Sequence, residues 1–352
     1  MSRNFKGKTP EQMAGEIKLG GWKSFGTYCL GALGASPADV LRALAINLSE
    51  VQVSALVTDP ALTWLYPEMV KEAVLEGFEN PETAWWQDLI FSQAAVNAKD
   101  IRQPSFTLNQ DAGPQETQEG ESMQVTFITS GSRSVTLRKN AEAIGLTYEV
   151  TNFATVDQVQ IWTRQYGCNM ASKLNAYAVD RLVNGDQADL SMAAAVIGVA
   201  SVADGFTWKD FLRVCAVMAK LGNPIDFCIV DLAEYMDLAN MDEFKRLAAG
   251  EALTKLNLKT PVPAALNTFI HSGVGADKFL FGSKSKALWK ANAIPLLIET
   301  DKDIQKQTNL VAASETADMV NMLRTARVIV DRTLEYAANP FPAWMTPAGV
   351  TM

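Results

Sequence analysis

The reactive side chains of this chain are few: one histidine, four cysteines and scattered carboxylates. His271 lies in Phe269-Ile-His-Ser-Gly273. A zinc site built on it would need partner ligands at ligand spacing, and no cysteine or carboxylate cluster of that kind accompanies it. An enzyme using His271 beside an α/β region around residues 207–250 stays open as an alternative, but no Gly-x-Ser-x-Gly elbow supports it. A structural or surface histidine is the better reading. Cys29, Cys168, Cys215 and Cys228 form no Cys-x-x-Cys pair, and each has apolar or aromatic neighbours. They read as buried free thiols suited to a reducing cytoplasm. Phosphate and metal motifs are also missing. No Gly-x-x-x-x-Gly-Lys-Ser/Thr string occurs, and Gly273-Val-Gly275 lacks the third glycine and the preceding strand of a dinucleotide fingerprint. Asp301-Lys-Asp303 does not supply calcium's ligand count. No cofactor and no metal are expected. One acidic cluster remains, made of Asp111, Glu116, Glu119 and Glu121. Carboxylates in a polar run more often form a solvated face or meet a basic neighbour than act as a general-acid pair.

The acidic run is the tip of a hairpin. Gln110–Glu121 holds no apolar residue larger than alanine or proline. Strands are expected on either side, at Gln103–Asn109 and Ser122–Thr129. Met123, Val125 and Phe127 share one face of the second, and Gln124 and Thr126 the other. A connection this long is out of place inside a compact domain. It makes sense if the hairpin leaves its own subunit and lies on a neighbour, which makes the four tip carboxylates inter-subunit contacts. Ser130-Gly-Ser132 is a turn signal. Val135–Lys139 and Ile144–Val150 continue the strand character.

A long helix follows. Thr155-Val-Asp-Gln158 reads as a capping box. Val159, Trp162, Tyr166, Met170, Leu174, Tyr177 and Arg181 recur at helical spacing, and Asn184-Gly185 supplies a stop. The span is about thirty residues, roughly 45 Å. Its aromatic stripe and the absence of a continuing heptad argue against a coiled coil.

Helical signals precede the hairpin. Ser36-Pro-Ala-Asp39 offers a cap for Val40–Leu48. Asp59-Pro60 opens a stretch with Trp64, Met69, Val70 and Val74. Pro81–Asn97 carries Trp85, Trp86, Leu89 and Ile90 and is expected to be helical. Residues 190–275 read as an α/β region. There Thr207-Trp-Lys-Asp210 caps a helix bearing Phe211, Leu212, Cys215, Met218 and Ala219, and Gly222-Asn-Pro224 ends it. Ile225–Asp231 reads as a buried strand. Leu232–Leu238 and Met241–Ala248 resume helix, and Thr254–Asp277 reads as loops with short pieces. Ile294–Glu299, Asn309–Glu315 and Ala326–Asp331 are expected to form a late three-stranded sheet, followed by a proline-punctuated tail.

The 352 residues suffice for two or three domains. A net charge of −8 makes general nucleic-acid binding a poor fit. The exception is a basic start, where Arg3, Lys6, Lys8, Lys18 and Lys23 outnumber Glu11 and Glu16. No signal peptide is evident, and Leu190–Ala203 is too short to cross a bilayer as a helix, so no membrane is expected.

The order of parts carries a resemblance: helical arm, protruding hairpin, long helix, α/β region, late sheet. Local phrasing supports it at Glu119-Gly-Glu121, Leu146–Val150, Leu182-Val-Asn-Gly185 and Asn223–Val230. Across residues 36–335 the chain resembles the major capsid proteins of tailed bacteriophages, with the α+β Hong Kong 97-type fold. That likeness implies an N-terminal arm (1–102), an E-loop hairpin (103–147), and a peripheral domain with its spine helix (148–189 and 291–335). It further implies an axial domain (190–290) and a C-terminal tail (336–352). It implies no enzyme but a virion protein, assembled in the host cytoplasm as hexamers and pentamers into an icosahedral shell around double-stranded DNA. The DNA contact would be non-specific. Expected partners are a portal, a decoration protein and a separate scaffolding protein, because the segment before the hairpin is short for a built-in scaffold. An encapsulin-like nanocompartment shell is the alternative within the fold.

Overall fold

A computed structural model describes residues 12–13, 16, 28–33, 53, 65–106, 128–186, 192–242, 266–303 and 305–345. Its regular elements are α1 (Leu65–Phe78), β1 (Ile90–Ala95), β2 (Asp100–Phe106), β3 (Ile128–Thr136), β4 (Arg138–Thr147), α2 (Tyr148–Phe153) and α3 (Val156–Asn184). They continue with β5 (Ala195–Val199), α4 (Trp208–Lys220), β6 (Phe227–Val230), α5 (Leu232–Asn240), β7 (Asn267–Ile270), β8 (Lys278–Gly282), β9 (Leu288–Asp303), β10 (Thr308–Asn321) and β11 (Arg327–Glu335). The chain divides into two compact units. One holds residues 1–84, 139–174 and 296–315; the other holds 85–138, 175–295 and 316–352.

In the first unit, Tyr66, Met69 and Val70 of α1 share a core with Leu146, Val156, Val159 and Val311. The helices α1 and α3 meet backbone to backbone at two glycines. A Cβ on Gly77 would lie 2.0 Å from the Arg164 carbonyl oxygen, and one on Gly167 would lie 2.2 Å from that of Val74. Only glycine allows that approach. Around it, Arg164 pairs with Glu76 at 2.7 Å, and the Tyr166 hydroxyl donates to the Glu142 carbonyl.

The second unit is built on a five-stranded sheet in the order β5-β11-β8-β6-β7. β5 runs parallel to β11, β8 runs antiparallel to β11 and β6, and β7 runs parallel to β6. The central strands carry unbroken apolar runs, Phe227–Val230, Phe279–Phe281 and Val328–Val330, because both of their faces are covered there. Phe211, Val214, Cys215 and Met218 of α4 and Leu238 of α5 pack in one core with Cys228, Val230, Phe279, Phe281, Val328 and Val330. The cap at Thr207 is as expected: its hydroxyl accepts from the Asp210 N–H, and the Asp210 carboxylate accepts from the Thr207 N–H. The buried strand expected at Ile225–Asp231 is β6, and the helix expected from Leu232 is α5, capped by Asp231.

Four expectations fail. Pro81–Asn97 is not a helix. It forms a short 3-10 turn at Trp85–Asp88 and then β1, which pairs in parallel with β9 from Ile90 opposite Leu288 to Ala95 opposite Asn292. Pairing with a long strand outweighs a weak local preference. Ser130-Gly-Ser132 is not a turn but part of β3. The register passes from Arg102 opposite Ser134 to Pro104 opposite Ser130, so the glycine is absorbed in a bulge facing a proline that cannot donate. Tyr148–Val150 is helical, because Thr147 caps α2 by accepting from the Val150 N–H. The late strands do not share a sheet. β9 and β10 lie in a four-stranded sheet of order β1-β9-β10-β4, whereas β11 joins the five-stranded one. Val328, Ile329 and Val330 are all buried there, which needs a strand covered on both faces. A strand, β7, also lies within Thr254–Asp277. The helix expected at Val40–Leu48, the face of Met123, Val125 and Phe127, and the tail from residue 346 lie outside the described residues.

The glycine contact yields a stability expectation. Gly77→Ala or Gly167→Ala forces the helices apart and costs roughly 1–3 kcal/mol or more. The urea midpoint should fall for each variant, and an unchanged midpoint would show the contact to be slack.

Candidate functional site

The long helix is the scaffold on which the other features sit. Gln158 accepts from the Thr155 N–H at 3.2 Å, which is the glutamine half of the expected capping box. At the far end Gly185 takes a positive φ of 86° and its N–H returns to the Arg181 carbonyl. The expected stripe is buried at Val159, Tyr166, Met170, Leu174 and Arg181. Trp162 is not. It is 50% exposed, next to Ile161 at 60%, and Phe153 just ahead of the helix is 80% exposed. Three large apolar side chains of this stretch thus face water.

Arg181 is fully buried in the last turn of the helix. It donates through Nε and Nη2 to the two carboxylate oxygens of Asp318 on β10, at 3.1 and 2.8 Å. Asp318 also accepts from the Met319 N–H and lies 3.5 Å from Arg138, the first residue of β4. The Arg138 guanidinium stands 5.6 Å over the Tyr177 ring. Around this pair, Asn321 donates to the Arg181 carbonyl at 2.7 Å and to Asp186 at 2.9 Å. Arg327 donates to the carbonyls of Leu182 and Met192. Carbonyls left over at the helix end are thus met by side chains of β10 and β11. Helical spacing points to Arg181 but to none of its partners. Charged residues inside the apolar strand Thr308–Asn321 were the available signal, since a buried charge needs a counter-charge.

Next to this network the hairpin strands β2 and β3 pair antiparallel, from Asp100 opposite Thr136 to Phe106 opposite Ile128. They form a two-stranded sheet of their own. Its root is held by the buried Val135 and Leu137 and by the Leu137 N–H donating to the Lys99 carbonyl at 2.8 Å. The expected contact residues Asp111, Glu116, Glu119 and Glu121 lie outside the described residues.

His271 has a structural task. Its Nδ1 accepts from the Gly273 N–H at 2.9 Å, capping a short 3-10 turn, and its ring meets the edge of Trp85. Burial holds its pKa below 6.5, against the pull of Asp231 in the other direction. Burial raises the Cys29 and Cys215 thiols to about 12 and pushes Cys228 up as well, so these thiols stay protonated and unreactive. Among the described residues no group of three or more histidines, cysteines or carboxylates could hold a metal ion. No helix among them is long and apolar enough to cross a membrane.

No family model and no curated protein matches the sequence. Solved structures do. A phage-related protein from Bordetella bronchiseptica RB50 is 11% identical, with a TM-score of 0.50 over 79% of this chain and 98% of that one. The capsid protein of the native GTA particle is 14% identical, with a TM-score of 0.50 over 71% of this chain and 90% of that one. The chain has the Hong Kong 97-type fold of phage capsid proteins. The holo-SrpI encapsulin of Synechococcus elongatus PCC 7942 also matches, at 11% identity and a TM-score of 0.48, over 71% of this chain and 87% of that one. The long helix of this chain is α3, and β2 and β3 form its two-stranded ribbon.

Two outcomes follow from the polar groups. Asp318→Asn removes the buried counter-charge of Arg181 and leaves only the partly exposed Asp180 at 3.9 Å, so it should cost up to about 3–5 kcal/mol, read as a lower melting temperature. Arg181→Met with Asp318→Leu should cost less than the single change, and a larger loss in the double variant would contradict the ion-pair account. For His271 the folded pKa lies below the unfolded one, so the unfolded chain takes up the proton first as pH falls. The contribution is complete above about pH 6.5 and is lost as pH drops below it. His271→Asn keeps an acceptor for Gly273 and removes the titration, so its stability should vary less than that of the parent between about pH 5.5 and 7.5. Identical pH profiles would rule out this role.

Proposed function

We propose that this chain is a major capsid protein that self-assembles into the icosahedral shell enclosing a double-stranded DNA phage genome. The observation that carries the reading is the fold match to the capsid protein of the native GTA particle. The ribbon supports it. Among the described residues β2 and β3 pair only with each other, and such a ribbon is marginal in water unless a further surface covers it, which a neighbouring copy would provide. The exposed Phe153, Ile161 and Trp162 are the kind of surface such a neighbour would cover.

On this reading residues 103–147 are the E-loop. Asp111, Glu116, Glu119 and Glu121 at its tip meet a basic patch on the adjacent subunit. Residues 1–102 form an arm, 148–189 and most of 291–321 the peripheral domain, and 190–290 together with β11, whose sheet they share, the axial domain around the hexamer and pentamer centres. Closed symmetry turns many weak contacts into one stable particle, so no single interface has to be strong. A portal, a scaffolding protein and a decoration protein would complete the virion. DNA is held inside by enclosure and non-specific contact, which an acidic subunit of net charge −8 can tolerate.

Deleting Asp111–Glu121 tests the proposal. The variant should fold, with unchanged circular dichroism, and should form no closed particles in the electron microscope. Normal particles from it would remove the tip from assembly. Glu116→Lys, Glu119→Lys and Glu121→Lys together should weaken assembly most at low salt, where charge contacts are least screened. Assembly unchanged at low salt would exclude an electrostatic role for the tip.

A further inference from the structure

The five-stranded sheet carries two helices on one face with opposite charge. α4 and α5 share a single hydrophobic core, so both pack on the same side of the sheet. α4 follows β5, one edge strand, and α5 precedes β7, the other. α4 bears Lys209, Arg213 and Lys220, and its one acid, Asp210, is buried in the helix cap. From its cap to the residue that follows Met241, α5 bears Asp231, Asp237 and Asp242 toward the surface and no base, while Glu234 is buried and, with Asp237, pairs with Arg332 of β11.

Each helix also shows apolar side chains to water. On α5, Leu232 and Met236, one turn apart, are 59% and 53% exposed. On α4, Leu212 is 37% exposed and Ala216 lies one turn further along, flanked by Lys209 and Lys220. Those positions recur every three to four residues, so they share one outer face of the helix. Lys209 and Lys220 make no ion pair among the described residues. Asp242 is exposed, whereas Asp237 reaches Arg332 at 2.6 Å.

We infer that the outer face of α4 on one copy docks against the outer face of α5 on the next. The inference rests on the shell-subunit reading and names the surfaces of one of its contacts. The occupant of each face is a second copy of this chain, because the basic-and-apolar face and the acidic-and-apolar face that fit each other are both on the same unit. A contact between two different faces of identical chains is heterologous and can close into a ring. Exposed ion pairs contribute little one at a time, and repetition around a closed ring multiplies them. Their larger effect is on orientation, because the reverse pairing sets like charges against each other.

The test uses the full chain under conditions in which the parent assembles. Lys209→Glu with Lys220→Glu should cut particle yield about tenfold or more at low salt, and so should Asp237→Lys with Asp242→Lys. All four changes in one chain should restore the yield. A second measurement does not depend on charge. Ala216→Cys with Met236→Cys places two exposed thiols on facing helices, and oxidation should give a ladder of disulfide-linked copies that collapses on reduction. Each variant's melting curve is recorded beside its yield. If the parent assembles but the four-fold reversal does not recover and the cysteine pair gives no ladder, the helix pairing is overturned and the shell reading stands. If another protein covers these faces, all variants assemble like the parent, and the pairing is again overturned. If the parent itself never associates, both readings fall together.

Discussion

A guanidinium taken out of water must keep its counter-charge within hydrogen-bond distance, and Arg181 imposes that condition on one end of the long helix. Apolar packing is non-directional and would tolerate small slips of a helix along its bed. A bidentate pair with Asp318 does not. Once Arg181 and Asp318 are joined, β10 is fixed against the last turn of the helix, and Asn321 falls where it can meet the Arg181 carbonyl and Asp186. Arg327 then closes the remaining carbonyls from β11. Arg138 touches the same carboxylate at the root of the hairpin. Removing charge from the middle of this set leaves a buried ion, which is why its members act together.

Above that network the molecule spends its surface unusually. Aromatic and aliphatic side chains face water on the long helix, on α4 and on α5. An isolated subunit gains nothing from such exposure. In the proposed shell such side chains would be covered, and their burial would count toward association. The two readings of charge, an acidic tip and oppositely charged helices, belong to the same logic. In both proposed contacts charge would select which faces meet, and apolar area would hold them once they have met.

Much of this was legible in the residues. The Thr207–Asp210 cap, the buried strand at Phe227–Val230 and the helix from Val156 to Asn184 follow from local chemistry: a hydroxyl and a carboxylate three apart, an unbroken apolar run, a stop at glycine. Failures came where a distant partner decides. Ile90–Ala95 is a strand only because β9 runs beside it, and Gly131 lies in a bulge only because of what faces it across the ribbon. The separation of β11 from β9 and β10 was hidden for the same reason, since nothing in three successive apolar runs says which sheet each will join. Of the site, Arg181 was visible as the polar end of an apolar stripe. Asp318 was not, because its partner is far away in sequence. Spacing alone places Trp162 in the buried stripe, and spacing cannot tell a side chain covered by its own core from one that faces water.

The central claim is that the chain builds shells. Expressing it with and without a candidate scaffolding protein, and imaging the products by negative-stain electron microscopy, tests that claim directly. Closed particles tens of nanometres across, or free hexamers and pentamers, are the expected result, and nucleic acid inside them would separate a genome container from a nanocompartment. A monodisperse small oligomer under every condition would contradict the account.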